Sequence, residues 1–480
     1  MKVRMQRKYD ILSEHIIKNM FLNRQNEVSK LKQTYAKGNK QLVIVYGPHG
    51  SGKTELLKQI LPQTRYIYLV PSGYNQKDLI NNLWKQIKRY DREINRPAPE
   101  TPKDLFQVFQ DMAVLDRVLI VIDEFDFVQR FEPSFIHDFR MWWLGLNVSV
   151  NLMVVLISPV SSVFDSISRR DKPDSVLPEL VINLDYIDYK DSLPLMAGFL
   201  PKDAVSTYAV FGKYPFTLSR IVGEGSLLDR IKSEILHTGG SLFDLPLRRI
   251  SDLGKYMNKS IAVMEMISRG IYTAEEIAKY THSEREEVSN IISKILYPYG
   301  LVEKKRPVLD SVHSRNFKYS IADNFNRFWF NFVSMNRNEL LLGNFEASVS
   351  DIMSGLNDFV SPVFAEIALQ HLSMLSGVNY NHKSIIGQWW NRDIEIDGVA
   401  VSNEDSRVYF MSTVWSDKPV ERDVLNSLIR KASDFPWKKN DRKDLLVIYS
   451  KSGFRFETDE ATLVNINRMQ HDLDSRVTSG

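Results

Sequence analysis

QLVIVYGPHGSGKTELLKQIL, Gln41–Leu61, decides the fold of this chain. An apolar run of strand type, QLVIVY, leads into the glycine-rich turn GPHGSGKT, Gly47–Thr54, and a helical TELLKQIL follows. Strand before and helix after is the context a phosphate-binding loop requires. Gly47, Gly50 and Gly52 permit the tight turn and let backbone N–H groups reach phosphate oxygens. The start of the helix adds its positive dipole end. Lys53 has the reach for β- and γ-phosphates, and the Thr54 hydroxyl is the expected Mg²⁺ ligand. The nucleotide-binding stretch is therefore Gly47, Pro48, His49, Gly50, Ser51, Gly52, Lys53, Thr54 and Glu55. A chance match of eight residues is the alternative, and the flanking elements argue against it.

Downstream, VLIVIDEFDF places Asp123 and Glu124 at the end of another apolar strand. An acid that ends a buried strand is costly unless it meets a cation, and Mg²⁺ supplies one. Asp123 is expected to hold the metal and Glu124 to polarise the attacking water. The blander reading makes Glu124 a helix N-terminal acid and Asp126 the cap of the next turn. NLMVVLIS ends in Ser158, which either stands near the γ-phosphate or binds backbone at the strand end. Arg169 and Arg170 follow; an arginine finger and a pair of solvated surface cations are both open readings. Short apolar runs (QLVIVY, RYIYLV, VLIVID, NLMVVLIS) alternate with amphipathic stretches, which predicts a parallel sheet with crossover helices.

At 480 residues the chain has room for two to four domains. A formal net charge of +3 argues against a whole-molecule polyanion binder and leaves room for a local basic face. The absence of cysteine excludes disulfides, thiolate-ligated zinc, iron–sulfur clusters and thiol catalysis. The N-terminal stretch has no unbroken apolar segment of signal-peptide type, and no run approaches the roughly 18 apolar residues of a membrane span. A soluble cytoplasmic protein is the expectation.

With these motifs in place the sequence resembles the archaeal branch of the STAND ATPases, an AAA+-like P-loop family. An F-x-x-R-x-x-E box precedes the loop, filled by Phe21, Arg24 and Glu27. The resemblance puts Arg24 near the adenine and ribose. FGKYPFTLSR resembles the family's later box through Gly212, Pro215 and Leu218, which implies a helical subdomain closing on the nucleotide with Pro215 beside it. Ser158-Pro159-Val160 stands where the family carries Gly-Ser-Ser, so slow or partner-stimulated hydrolysis is expected. Arginine fingers in this fold often come from a neighbouring copy, which makes a homo-oligomer an open expectation.

The middle of the chain, from about Lys259 to Asp323, reads as a winged helix. Thr273 with Glu276 and Ser283 with Glu286 are two candidate capping boxes. Ile277, Val288, Ile291, Ile292 and Ile295 form its apolar face. Lys304, Lys305, Arg306, Arg315 and Lys318 make a basic hairpin suited to double-stranded DNA phosphates. Against this, Glu284, Glu286 and Glu287 crowd the start of the recognition helix. The aromatic run Phe328–Phe332 reads as core. The last regime looks like the PD-(D/E)xK nuclease fold, with Glu366 and Asp397 in the first two acid positions. Ser412 and Val414 fall where Glu-x-Lys is needed, so nuclease activity is not expected.

The expected architecture is thus a multidomain α/β chain: a P-loop ATPase domain at 1–200, a helical lid at 201–254, a winged helix at 255–335 and a nuclease-like domain at 345–465. The expected function is Mg²⁺-dependent ATP binding and hydrolysis driving a conformational or assembly switch, with DNA as a candidate partner through the wing. An ATP-switched protein-interaction scaffold is the alternative.

Overall fold

In the computed structural model, strand β1 (Gln41–Tyr46) carries four consecutive fully buried residues, Leu42–Val45. Alternation sends Leu42 and Ile44 into one core and Val43 and Val45 into another, so both faces of the strand are covered. With β2 (Tyr66–Leu69), β3 (Val118–Ile122), β4 (Leu152–Ser158) and β5 (Leu180–Asn183) it builds a five-stranded parallel sheet. The order is β2-β3-β4-β1-β5. One face packs on α1 (Gln25–Ala36) and α2 (Lys53–Lys58). The other packs on α3 (Gln76–Tyr90), α4 (Pro102–Leu115), α5 (Phe125–Phe131) and α6 (Pro133–Gly145). Phe106 anchors that second core, stacked on Trp142 and edge-on to Phe135 and Phe139.

The structure describes residues 24–474, apart from 62–63, 91–95, 161–163, 165–166, 169–174, 222–224, 252, 312 and 440. Phe21, Arg169 and Arg170 lie outside the described residues. The chain divides into two compact units. The first runs to Tyr186 and also takes in Tyr297–Gly300; the second holds Ile187–Leu296 and everything from Leu301.

The second unit opens with helices, among them α7 (Pro201–Phe211). Three more follow, α8 (Met257–Ser268), α9 (Ala274–Thr281) and α10 (Arg285–Ile291), and then the antiparallel pair β6 (Val302–Lys305) and β7 (Lys318–Ile321). Ile277, Val288, Ile291 and Ile292 are buried as the apolar-face reading requires, while Ile295 is only half-buried. Of the two capping boxes, the first is half made: Thr273 accepts from the Glu276 N–H, and the Glu276 carboxylate takes the Thr273 hydroxyl. The second is not formed: Glu284 takes the N-cap place of α10, and the Ser283 hydroxyl donates to the Thr281 carbonyl instead. Trp329, Phe330 and Phe332 are core, and the Trp329 indole donates to the Phe243 carbonyl at 2.7 Å.

Helix α11 (Glu346–Ser376) then leads into a second sheet, of β8 (Ile386–Asn391), β9 (Ile394–Ser402), β10 (Arg407–Val414), β11 (Lys443–Ser450) and β12 (Ala461–Asn465). Its order is β12-β11-β10-β9-β8, with the β8, β9 and β10 neighbours antiparallel and the β10, β11 and β12 neighbours parallel. Helix α12 (Arg422–Asp434) joins β10 to β11, and α13 (Ile466–Asp474) ends the described chain. Helix α11 is the one helix among the described residues long and apolar enough to cross a membrane. Half of its most apolar window is buried, and it packs on β9 and β10, which makes it the core helix of this sheet.

Candidate functional site

The carboxyl ends of the parallel strands gather the sequence motifs of the first unit. Gly47 leaves β1 at φ +152°, and its N–H donates to the Ser158 carbonyl at 3.2 Å. A Cβ there would lie 2.1 Å from the Leu184 carbonyl oxygen, so only glycine lets the loop pass so close to the end of β5. Gly52 adopts the left-handed conformation as the residue before α2. The Lys53 ammonium folds back over the loop, donating to the Gly47 carbonyl at 2.6 Å and the Pro48 carbonyl at 2.9 Å. The Ser51 hydroxyl is buried within the loop without a protein hydrogen-bond partner.

Strand β4 lies between the strand of the loop and the strand of the acids. Its last residue, Ser158, is fully buried and its oxygen accepts from the Val160 N–H at 3.1 Å. That is the backbone-binding geometry of a strand-end hydroxyl, and the Ser158 proton stays available to a further acceptor. Across β4, one Asp123 carboxylate oxygen accepts from the Glu124 N–H at 2.8 Å, and the other accepts from the Tyr68 hydroxyl. Burial first, then the neighbouring Asp123, push the Tyr68 phenol well above its ordinary pKa, so it stays a neutral donor. In the sequence Tyr68 is one aromatic of the strand run RYIYLV, with nothing local to mark it. Glu124 is exposed and sits at φ +49°, ψ +41°, a left-handed conformation unusual for a non-glycine residue. Asp126 is buried in the first turn of α5.

Thr54 and Asp123 offer the hydroxyl and carboxylate oxygens that a hard cation selects. With an unpaired Ser51 hydroxyl in the phosphate loop, the donor set fits Mg²⁺ and a nucleotide polyphosphate. When bound, the metal would neutralise phosphate charge. Arg24 does not stand free for a base: its guanidinium donates to the Asp185 carbonyl and to Glu27 at 3.4 Å, tying the lead-in of α1 to the loop after β5. In the same unit the Tyr186 hydroxyl donates to the Gly300 carbonyl at 2.9 Å, and Gly300 lies against Pro48 of the loop.

Residues 21–198 match the family model of an ATPase domain found predominantly in Archaea. The chain carries a P-loop ATPase domain. Residues 329–426, beyond the ATPase domain, match a family of archaeal and bacterial proteins of unknown function. An uncharacterized protein of Methanocaldococcus jannaschii is 24% identical over 413 residues, covering 84% of this chain and 89% of that one. Among solved structures, a Walker-type ATPase of Pyrococcus abyssi is similar at 16% identity and a TM-score of 0.48, over 64% of this chain and 95% of its own. The ORC2 protein of Aeropyrum pernix follows at 14% identity and a TM-score of 0.38, over 69% and 95%.

Outside the ATPase domain the predicted site residues fare differently. Pro215 is buried at the start of a short helical turn, Pro215–Leu218, in the second unit. Gly212, at φ +79°, lets the chain pass Asp323, where a Cβ would fall 2.4 Å from the carboxylate. The basic hairpin is largely engaged within its own unit. The Lys305 ammonium donates to Glu366 at 2.6 Å, and Lys213 donates to the other oxygen of the same carboxylate at 2.9 Å. Lys318 pairs with Glu395 at 3.4 Å and lies over the Trp390 ring. Lys304 and Arg306 lie over Phe317, and Arg315 is exposed. Beyond β6, the Val308 and Leu309 N–H groups donate to the Gln388 and Ser384 carbonyls, each at 2.9 Å, and the Trp390 indole donates to Asn316.

Glu366 and Asp397 are not brought together. Gly398 faces α11, where its Cβ would meet Leu369, so Asp397 points to the opposite face of the sheet. There it accepts from the Thr413 N–H and hydroxyl at 2.7 and 3.1 Å, beside a cavity of about 250 Å³ shared with Ser412, Asp423, Ser427 and Lys431. Burial would raise the Glu366 pKa, yet the two ammoniums outweigh it and hold the carboxyl well below its ordinary range.

Proposed function

We propose that this protein binds ATP with Mg²⁺ and hydrolyses it to drive a conformational or assembly switch. One observation carries the reading: strand order. With β4 between β1 and β3, the phosphate loop, Ser158, and the Asp123–Glu124 pair share the carboxyl ends of one sheet. Ligands of open parallel α/β sheets bind at such ends. In this reading Lys53 exchanges its loop carbonyls for phosphate oxygens, Thr54 and Asp123 hold the metal, and Glu124 orients water. The conformational cost of Glu124, about 1–3 kcal/mol for a strained non-glycine backbone, is consistent with a placement selected for chemistry.

Of the two partner readings, the geometry favours the protein-interaction scaffold over DNA. Two of the five wing cations, Lys305 and Lys318, are paired with acids of their own unit, and the start of α10 presents Glu284 and Glu286 to solvent. The deciding experiment is Mg²⁺-dependent ATP turnover by wild type, Lys53→Ala and Glu124→Gln, with and without double-stranded DNA at several salt concentrations. Lys53→Ala is expected to lose nucleotide affinity. Glu124→Gln is expected to keep it and lose turnover by about 10²–10⁴-fold. Turnover insensitive to DNA supports the scaffold; a DNA-raised rate that fades with salt restores the wing as a nucleic-acid surface. Absence of any nucleotide binding by wild type would sink the proposal.

A further inference from the structure

Tyr68 stands against Asp123, the carboxylate proposed to hold Mg²⁺. Its strand β2 pairs in parallel with β3, with Tyr68 opposite Val121, two residues before Asp123. Alternation along β2 buries Ile67 and Leu69 on the face of α3 and α4, and turns Tyr66 and Tyr68 to the face of α2. The sequence YIYLV reads as plain strand packing, yet the phenol donates a hydrogen bond to the Asp123 carboxylate.

The direction of this hydrogen bond is dictated by chemistry. An ionised carboxylate only accepts, so Tyr68 spends its single proton on Asp123. Asp123 is held at both oxygens, by Tyr68 on one and by its own neighbour's N–H, at 2.8 Å, on the other. Each carboxylate oxygen keeps a lone pair for a metal-bound water.

We propose that Tyr68 is a positioning residue for Mg²⁺, fixing one oxygen of Asp123 by a hydrogen bond and so setting how much tighter nucleotide binds with the metal than without it. This rests on the Mg²⁺-nucleotide reading of the site. Outer-shell partners of metal ligands are worth about 10–100-fold in metal affinity, and a phenol on an open-edged site belongs at the lower end.

The test is Tyr68→Phe, which keeps the ring and removes only the hydroxyl. A fluorescent ATP analogue is titrated into the full-length wild type and variant, once in EDTA and once across a Mg²⁺ series. Thermal unfolding of both proteins without nucleotide checks that the ring still packs. The expected result is unchanged affinity in EDTA and a rise of about tenfold in the half-saturating Mg²⁺ concentration. In an Asp123→Ala background, removing the hydroxyl is expected to add no further loss, because the phenol has already lost its acceptor. An unchanged Mg²⁺ dependence, a tighter one, or an equal loss in both media would each overturn the role. Failure of wild type to bind the analogue in either medium would instead strike the parent reading, so the two failures are distinguishable.

Discussion

Single residues carry two distinct kinds of pressure in this protein. Glu124 bears a backbone cost at φ +49° immediately after the strand that delivers Asp123; as the residue before α5 it accepts the Phe127 N–H on its carbonyl at 2.9 Å, while its side chain makes no cap there. His371 bears a solvation cost. Its ring is fully buried on α11, with one nitrogen 2.9 Å from the Tyr449 hydroxyl and the other 3.1 Å from Asp472. Burial pulls its pKa below the ordinary 6.5, against the opposing pull of Asp472. The folded state therefore takes up this proton at lower pH than the unfolded chain does. The stability it contributes is full above about pH 6.5 and is lost as the pH falls through the folded-state value. Urea unfolding of the wild type is expected to lose midpoint between pH 7.5 and 5.5, and His371→Asn to flatten that part of the profile. A slope unchanged by the substitution would assign the acid sensitivity to other groups.

At the scale of elements, helix starts show how local chemistry is overruled by neighbours. Thr273 caps α9 as its spacing predicts, accepting from the Glu276 N–H and donating to the Glu276 carboxylate at 2.7 Å. Ser283 has the same spacing to Glu286 but spends its hydroxyl on Thr281, because His282 turns the chain through φ +50° between the two helices. Thr273→Ala is accordingly expected to cost about 1 kcal/mol, and Ser283→Ala only a few tenths, in the unfolding free energy from urea titration. Equal losses would mean that Ser283 caps in solution. Strand β6 gives the parallel lesson for charge: Lys305 reads as a phosphate contact by sequence, whereas its partner Glu366 lies 61 residues further along.

Within the second unit, the Lys213–Glu366–Lys305 cluster joins the segment after α7, strand β6 and helix α11. Two ammoniums share one carboxylate, and removing its charge takes from both their shared counter-ion, Lys305 keeping Glu303 at 3.5 Å. Glu366→Gln is expected to destabilise the unit by about 2 kcal/mol, less than the cost of breaking a fully buried pair, because 18–34% of each side chain stays open to solvent. The measurement is urea unfolding at low and high salt. A loss below about 0.5 kcal/mol would class the cluster with ordinary surface pairs.

The sequence by itself determined the parallel α/β sheet, the phosphate loop and the position of Asp123 and Glu124. These are written in contiguous residues, since strand, turn and helix must follow one another directly for the loop to form. It also determined that Phe328–Phe332 is core, through apolar density alone. Tertiary structure alone decided what the isolated polar residues do. Tyr68 meets Asp123 only because β2 lies beside β3, and Asp397 is parted from Glu366 only because one residue of register turns a side chain to the other face of a sheet. The same holds for Lys305 and Lys318, whose charge is visible in the sequence while their acids are not. A hydrogen bond or an ion pair depends on distances of a few ångströms between residues far apart in the chain, and no local pattern encodes those distances.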